Sequence, residues 1–90
     1  MRNGKGTWYY DDGKIRYEGN WVNDMRDGNG KYYYEDGSHY DGDWQESRKH
    51  GQGVMTWRNG NTFKGEMNQD ACYKGVFDKG GIPHHIGPRD

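Results

Sequence analysis

Residues 17–44 read YEGNWVNDMRDGNGKYYYEDGSHYDGDW, and the end of this stretch repeats its beginning. Tyr17-Glu18-Gly19-Asn20-Trp21 returns after 23 residues as Tyr40-Asp41-Gly42-Asp43-Trp44, then as Phe63-Lys64-Gly65-Glu66-Met67. A second element, Gly28-x-Gly30-x-Tyr32-x-Tyr34, returns at the same spacing as Gly51-x-Gly53-x-Met55-x-Trp57. Self-similarity at a fixed period means a stacked array of one small unit. Arrays offer long surfaces rather than enclosed pockets, which bears directly on function.

Within one unit the pattern alternates. Tyr17, Gly19 and Trp21 alternate with Glu18 and Asn20; Gly28, Gly30, Tyr32 and Tyr34 alternate with Asn29, Lys31 and Tyr33. Period two is the mark of a half-buried strand. A polar loop, Asn23 to Asp27, separates the two strands, and Asp36-Gly37 follows as a two-residue hairpin turn. Asp12-Gly13 and Asn59-Gly60 hold the same place in their units. The expected fold is therefore all-β. It is an elongated, single-layer antiparallel meander of stacked hairpins, with about seven strands near 4–10, 16–22, 28–34, 40–45, 51–57, 62–67 and 74–78.

Composition agrees. The 90 residues contain no Leu and one Ala, while Leu, Ile, Val and Phe together number eight, so an aliphatic core is out of reach. Fourteen residues are Trp, Tyr or Phe, each able to bury about 150–250 Å². Eleven of those 14 fall in the repeating phase, leaving out Tyr9, Tyr33 and Tyr73, so one face is the core. A glycine in a strand leaves a gap that a neighbouring ring covers, and Gly19, Gly42 and Gly65 stand between ring positions. A net charge of −1 weakens any electrostatic case for nucleic acid or an anionic membrane as partner. Cys72 is alone, so no intrachain disulfide forms, as suits a reducing compartment. No apolar run approaches the roughly 18 residues of a membrane helix, and a cytoplasmic setting is expected.

The units are a half repeat at 1–16, repeats at 17–39 and 40–62, and a degenerate copy at 63–79. The turn from Asp12 to Arg16 is one residue longer than its counterparts, and the spacing from Gly65 to Gly75 is one residue shorter than that from Gly42 to Gly53. Residues 80–90, with Pro83 and Pro88, show no strand pattern and read as an extended tail or cap.

The motif set YEGNW…RDGNGKYYYEDGSHYDGDW…KHGQGVMTWRNG resembles the MORN repeat over about residues 2–79. The resemblance implies a twisted single sheet with an aromatic-lined groove. It also implies a noncatalytic scaffold that works in cytoskeletal, ciliary or junctional assemblies, often as a dimer. No cofactor is implied.

Two candidate surfaces follow. Tyr10, Trp21, Tyr34, Trp44 and Trp57 form a ring row suited to a partner peptide or helix, or to a like chain, because Tyr and Trp tend to dominate interface energy. Arg26, Arg48 and Lys49 fall in equivalent inter-strand loops and would line one rim, as a phosphoinositide-binding membrane adaptor requires. Asp24, Asp27 and Glu46 share that rim and offset it, whereas lipid sites usually carry 4–8 basic residues of one sign. Choline binding by boxed rings is a lesser alternative; choline-binding arrays lack the repeated Gly-x-Gly strand. His84-His85 in an extended segment point opposite ways, which is poor geometry for a metal. Paired carboxylates such as Asp11-Asp12 and Glu35-Asp36 sit at turns, where they accept local backbone N–H groups.

Overall fold

Six non-glycine residues adopt left-handed backbone angles, and they come in three pairs: Asn23-Asp24, Glu46-Ser47 and Gln69-Asp70, with φ between 48° and 71°. Consecutive positive φ values define the tight two-residue hairpin turn. In the computed structural model, which describes residues 3–87, these turns alternate with three-residue turns as far as β7, and a further two-residue turn, Gly80-Gly81, leads into the last strand. The strands are β1 (Gly4–Tyr9), β2 (Ile15–Val22), β3 (Met25–Tyr33), β4 (His39–Gln45), β5 (Arg48–Thr56), β6 (Thr62–Asn68), β7 (Ala71–Lys79) and β8 (Ile82–Ile86). They form one antiparallel sheet in the order β1 to β8. The molecule measures 42 × 29 × 14 Å, one sheet thick.

The two turn assignments made from sequence exchange places. The expected loop from Asn23 to Asp27 shrinks to two residues, because β3 begins at Met25. The turns at Asp12-Gly13, Asp36-Gly37 and Asn59-Gly60 have three residues. The Tyr10 N–H donates to the Lys14 carbonyl (2.8 Å) and the Gly13 N–H to the Tyr10 carbonyl (3.0 Å), and the turns at 35–37 and 58–60 repeat this. Asp12, Asp36 and Asn59 accept the N–H two residues on, at 2.8–3.0 Å, and the glycine then takes the left-handed position.

Both kinds of turn clasp the neighbouring repeat. Ser47 N–H donates to the Arg26 carbonyl (2.8 Å), and Arg26 N–H returns a bond to Ser47 Oγ (3.1 Å). One repeat on, Asp70 N–H donates to the Lys49 carbonyl (3.0 Å) and Lys49 N–H to Asp70 Oδ1 (2.8 Å). At the opposite ends of the strands, Arg58 N–H donates to the Oγ of buried Ser38 (3.1 Å), and Tyr10 Oη–H to the Tyr33 carbonyl (2.6 Å).

Register places one glycine of each of seven strands in a single line: Gly6, Gly19, Gly30, Gly42, Gly53, Gly65 and Gly75 pair in succession across β1 to β7. The rings lie over that line. A methyl group on Gly30 would collide with the Tyr17 phenol, and one on Gly53 with that of Tyr40. Tyr17 Oη–H donates to the Asn20 carbonyl (2.9 Å) and Tyr40 Oη–H to the Asp43 carbonyl (3.0 Å), while the indoles of Trp21 and Trp44 donate to the Gly6 and Gly30 carbonyls (3.1 Å each). The rings thus satisfy the polar backbone they cover, which a buried carbonyl requires. The core is Tyr17, Trp21, Tyr32, Tyr40, Trp44, Met55, Phe63 and Met67.

The unequal spacings resolve as bulges. Trp8 pairs with Tyr17 and Tyr9 with Ile15, so the extra residue is not in the turn but is Arg16, bulged out of β2. The single residue missing after Gly65 shortens a bulge that β3 and β5 carry in full at Gly28 and Gly51. Residues 82–86, part of the segment read from sequence as an extended tail or cap with no strand pattern, form an eighth strand paired to β7. All five of its residues are exposed, and Pro83 sits where a missing N–H is tolerated, on an edge strand. Pro88 lies outside the described residues.

Candidate functional site

A one-layer sheet has no second layer to cover its rings, so some must remain accessible. Trp21 and Trp44 do not: they retain 6% and 4% exposure. Trp44 meets Tyr17, Tyr32 and Tyr40 at 5.2–5.9 Å between centroids, and Trp21 meets Trp8 and Tyr17 at 5.0–6.1 Å. These two residues of the expected row build the floor. Tyr10, Tyr34 and Trp57 remain half-exposed, joined by Trp8 and Phe77, which pack against the core edge. Tyr34 leans on Tyr32 (4.7 Å) and Trp57 on Phe77 (5.2 Å). The out-of-phase Tyr9 and Tyr73 are exposed, as the alternation requires.

Two hollows share Trp8 as a wall. The larger, about 1000 Å³, lies over Trp8, Tyr10, Arg16 and Tyr34 between two three-residue turns. The smaller, about 350 Å³, is lined by Trp8, Trp21, Asp24, Arg26 and Ser47.

Cations are set among the rings. The Arg16 guanidinium lies 3.8 Å above the Trp8 ring, and its Nε–H donates to Tyr32 Oη (2.9 Å). Arg26 stands 4.7 Å from Trp44 and 5.0 Å from Tyr32, with one amino group on the Ser47 carbonyl (2.7 Å). Lys49 Nζ is 5.2 Å from Tyr34 and 5.5 Å from Tyr40. Such contacts are worth about 0.5–2 kcal/mol each, more where water is excluded.

The expected basic rim therefore does not form. Arg26 and Lys49 occupy strand positions one repeat apart and turn onto the ring face, while Arg48, one residue off, pairs with Gln45 and is exposed on the other face. Side-chain period two separates them. Arg16 was not legible as a site residue; its only trace is the 24-residue spacing from Gly6 to Gly30 against 23 from Gly30 to Gly53.

Burial shifts several phenols. Tyr10, crowded also by Tyr32, and Tyr17 are pushed up to about 12, and Tyr40 is raised as well, first by burial and then by Asp43. Burial likewise raises the Cys72 thiol, the reverse of what activates a nucleophile. His84 faces Phe77 (6.4 Å), while His85 pairs with Val76 in the opposite phase. Among the described residues no three His, Cys, Asp or Glu side chains group as metal ligands.

A family model for the MORN repeat matches residues 1–15, 17–39 and 40–62. No curated protein matches the chain.

Proposed function

The chain belongs to the MORN repeat family, a nonenzymatic repeat module of protein- and membrane-binding scaffolds, and we propose that it seats a segment of a partner protein along its ring face. One observation carries this reading: Trp8, Tyr10 and Tyr34 stay half-exposed around one hollow of about 1000 Å³, on the face that also holds the core. Trp57 and Phe77 prolong the row toward β7. Rigid aromatic side chains lose little entropy on binding and tend to anchor interfaces. Trp21 and Trp44 support the anchors from beneath. An extended peptide or a short amphipathic helix fits the open, one-sided groove, and a second copy of the chain is the homotypic form of the same contact. The scaffold role goes with a cytoplasmic setting, on cytoskeletal or ciliary structures.

The phosphoinositide reading draws less support. Arg26 and Lys49 are recessed among rings, and Arg48 projects from the other face.

Selection of displayed peptides on the folded protein tests the proposal. Enriched peptides are expected to lose at least tenfold in affinity for Tyr34→Ala/Trp57→Ala, with circular dichroism unchanged. Undiminished binding to that folded variant would remove the groove from consideration.

A further inference from the structure

We propose that the partner segment is acidic: its apolar side chains lie between Trp8, Tyr10, Tyr34 and Trp57, and its carboxylates meet Arg16, Arg26 and Lys49. The inference deepens the groove reading and depends on it.

The two faces of the sheet differ in charge although the net charge is only −1. Strand carboxylates alternate to the far face: Glu18, Asp41, Asp43 and Glu66 all stand out of phase with the rings. In the ring phase the ionised strand residues near the groove are cations, Arg26 and Lys49, joined by bulged Arg16. None of the three makes an ion pair among the described residues. Their neighbours are ring faces, a phenol and a carbonyl. Arg26 Nε is moreover buried with no hydrogen-bond acceptor, beside the hollow between Trp8 and Trp21.

Stacking occupies the flat face of a guanidinium and leaves N–H groups at its edge. That edge matches a carboxylate in two-point geometry. A carboxylate at the rings would therefore gain charge-assisted bonds without displacing the stacking. Carboxylates do stand at the turn end of the larger hollow: Asp11, Asp12 and Glu35 line it, with Asp36 in the same turn as Glu35. Asp12 and Asp36 are engaged with their own turns, at 2.9 and 2.8 Å. These groups belong to the three-residue turns and orient the partner so that its acidic stretch lies toward Arg26 and Lys49 at the opposite strand ends, where Asp24 lines the smaller hollow with Arg26. The same carboxylates oppose an anionic bilayer, and a flat headgroup surface does not reach cations recessed between rings.

The test uses three synthetic peptides of one apolar pattern, with Glu, Gln or Lys at the intervening positions, each made at extended and helical spacing. Titrated into the whole chain, the Glu peptide is expected to bind at least tenfold tighter than the Gln peptide. The gap should narrow as salt rises, and the Lys peptide should bind weakest. Arg16→Gln/Lys49→Gln, checked for folding by circular dichroism, should bring the Glu and Gln peptides to equal affinity and abolish the salt dependence of their difference; this pair spares Arg26, which stands against Tyr32 and Trp44. Equal binding of Glu and Gln peptides, or preference for Lys, would overturn the acidic partner and leave the groove intact. Failure of all three peptides to bind would dispose of both. Sedimentation with phosphatidylserine/phosphatidylcholine vesicles that depends on Arg16 and Lys49, without any preference among the peptides, would assign the cations to a membrane and overturn the proposal.

Discussion

Glycines of this chain do two different jobs, and substitution separates them. Gly42 faces Gly53 so closely that a methyl group would collide with the Gly53 Cα and sit 2.6 Å from the Gln52 carbonyl oxygen. Backbone cannot step aside, so Gly42→Ala should cost about 3 kcal/mol, near the upper end for overpacking and comparable to Trp44→Ala. Gly37 has open space around its Cα but a φ of 96°. Gly37→Ala should cost only about 1–2 kcal/mol, the penalty of a left-handed backbone. Denaturant unfolding of the two variants checks the contrast; equal losses would refute the packing account. The buried phenols give a second test. Tyr40→Phe strands the Asp43 carbonyl and should cost about 1 kcal/mol; the degenerate repeat already carries this change as Phe63. In the unfolded chain a tyrosine ionises near about pH 10, while Tyr10 and Tyr17 in the fold hold their protons to about 12 and Tyr40 is shifted the same way. Their folded values are raised, so the contribution is complete below about pH 10 and is lost as pH climbs through the folded values. Alkaline titration should show tyrosinate absorbance beyond that of the exposed rings appearing only together with loss of the sheet, above about pH 10. Ionisation of these phenols in an intact sheet would contradict the burial.

Elements were legible in the sequence where their cause is local and obscure where it is not. Tyr17-x-Gly-x-Trp21 and its copies announce a strand by alternation, and the 23-residue period fixes which glycines pair. Asn23-Asp24 resembles a loop as much as a turn, and Glu46-Ser47 carries no glycine at all. What holds Ser47 left-handed is its bond to the Arg26 carbonyl, 21 residues away in sequence, which no local pattern displays. The same holds for Arg16: a longer turn and a bulged strand have the same spacing, and only pairing tells them apart. Period two sets Arg48 and Lys49 on opposite faces because β5 starts at Arg48, whereas a polar loop at those positions has no faces to divide them. β8 escaped notice because Pro83 interrupts it and all of its residues face water. The turn pairs suggest a stabilising change. Glu46→Asn puts a residue tolerant of positive φ at a backbone angle of 49°, and should raise stability by about 0.5–1 kcal/mol. A thermal melt reads this directly, and a lowered melting temperature would mean the Glu46 side chain holds something the turn needs.

Across the whole molecule, each strand pairs through its backbone only with its sequence neighbours, in a sheet ordered β1 to β8, and side chains reach at most one strand further. Stability in such a chain is close to a sum over neighbouring units. Among the described residues, the buried apolar side chains lie on β2 through β6, and β8 has none. Hydrogen exchange should accordingly be slowest in β2–β6 and fastest in β8, with β7 between; uniform protection would indicate one cooperative block instead. The succession of strands also fixes how tension would travel. Its first and last strands are opposite edges of the sheet, so a pull on the two ends acts across the strands and unzips one ladder at a time, rather than shearing all of them at once. A sheet of this kind yields at low force in short steps, the outermost hairpin first, and lengthens while its centre stays knitted.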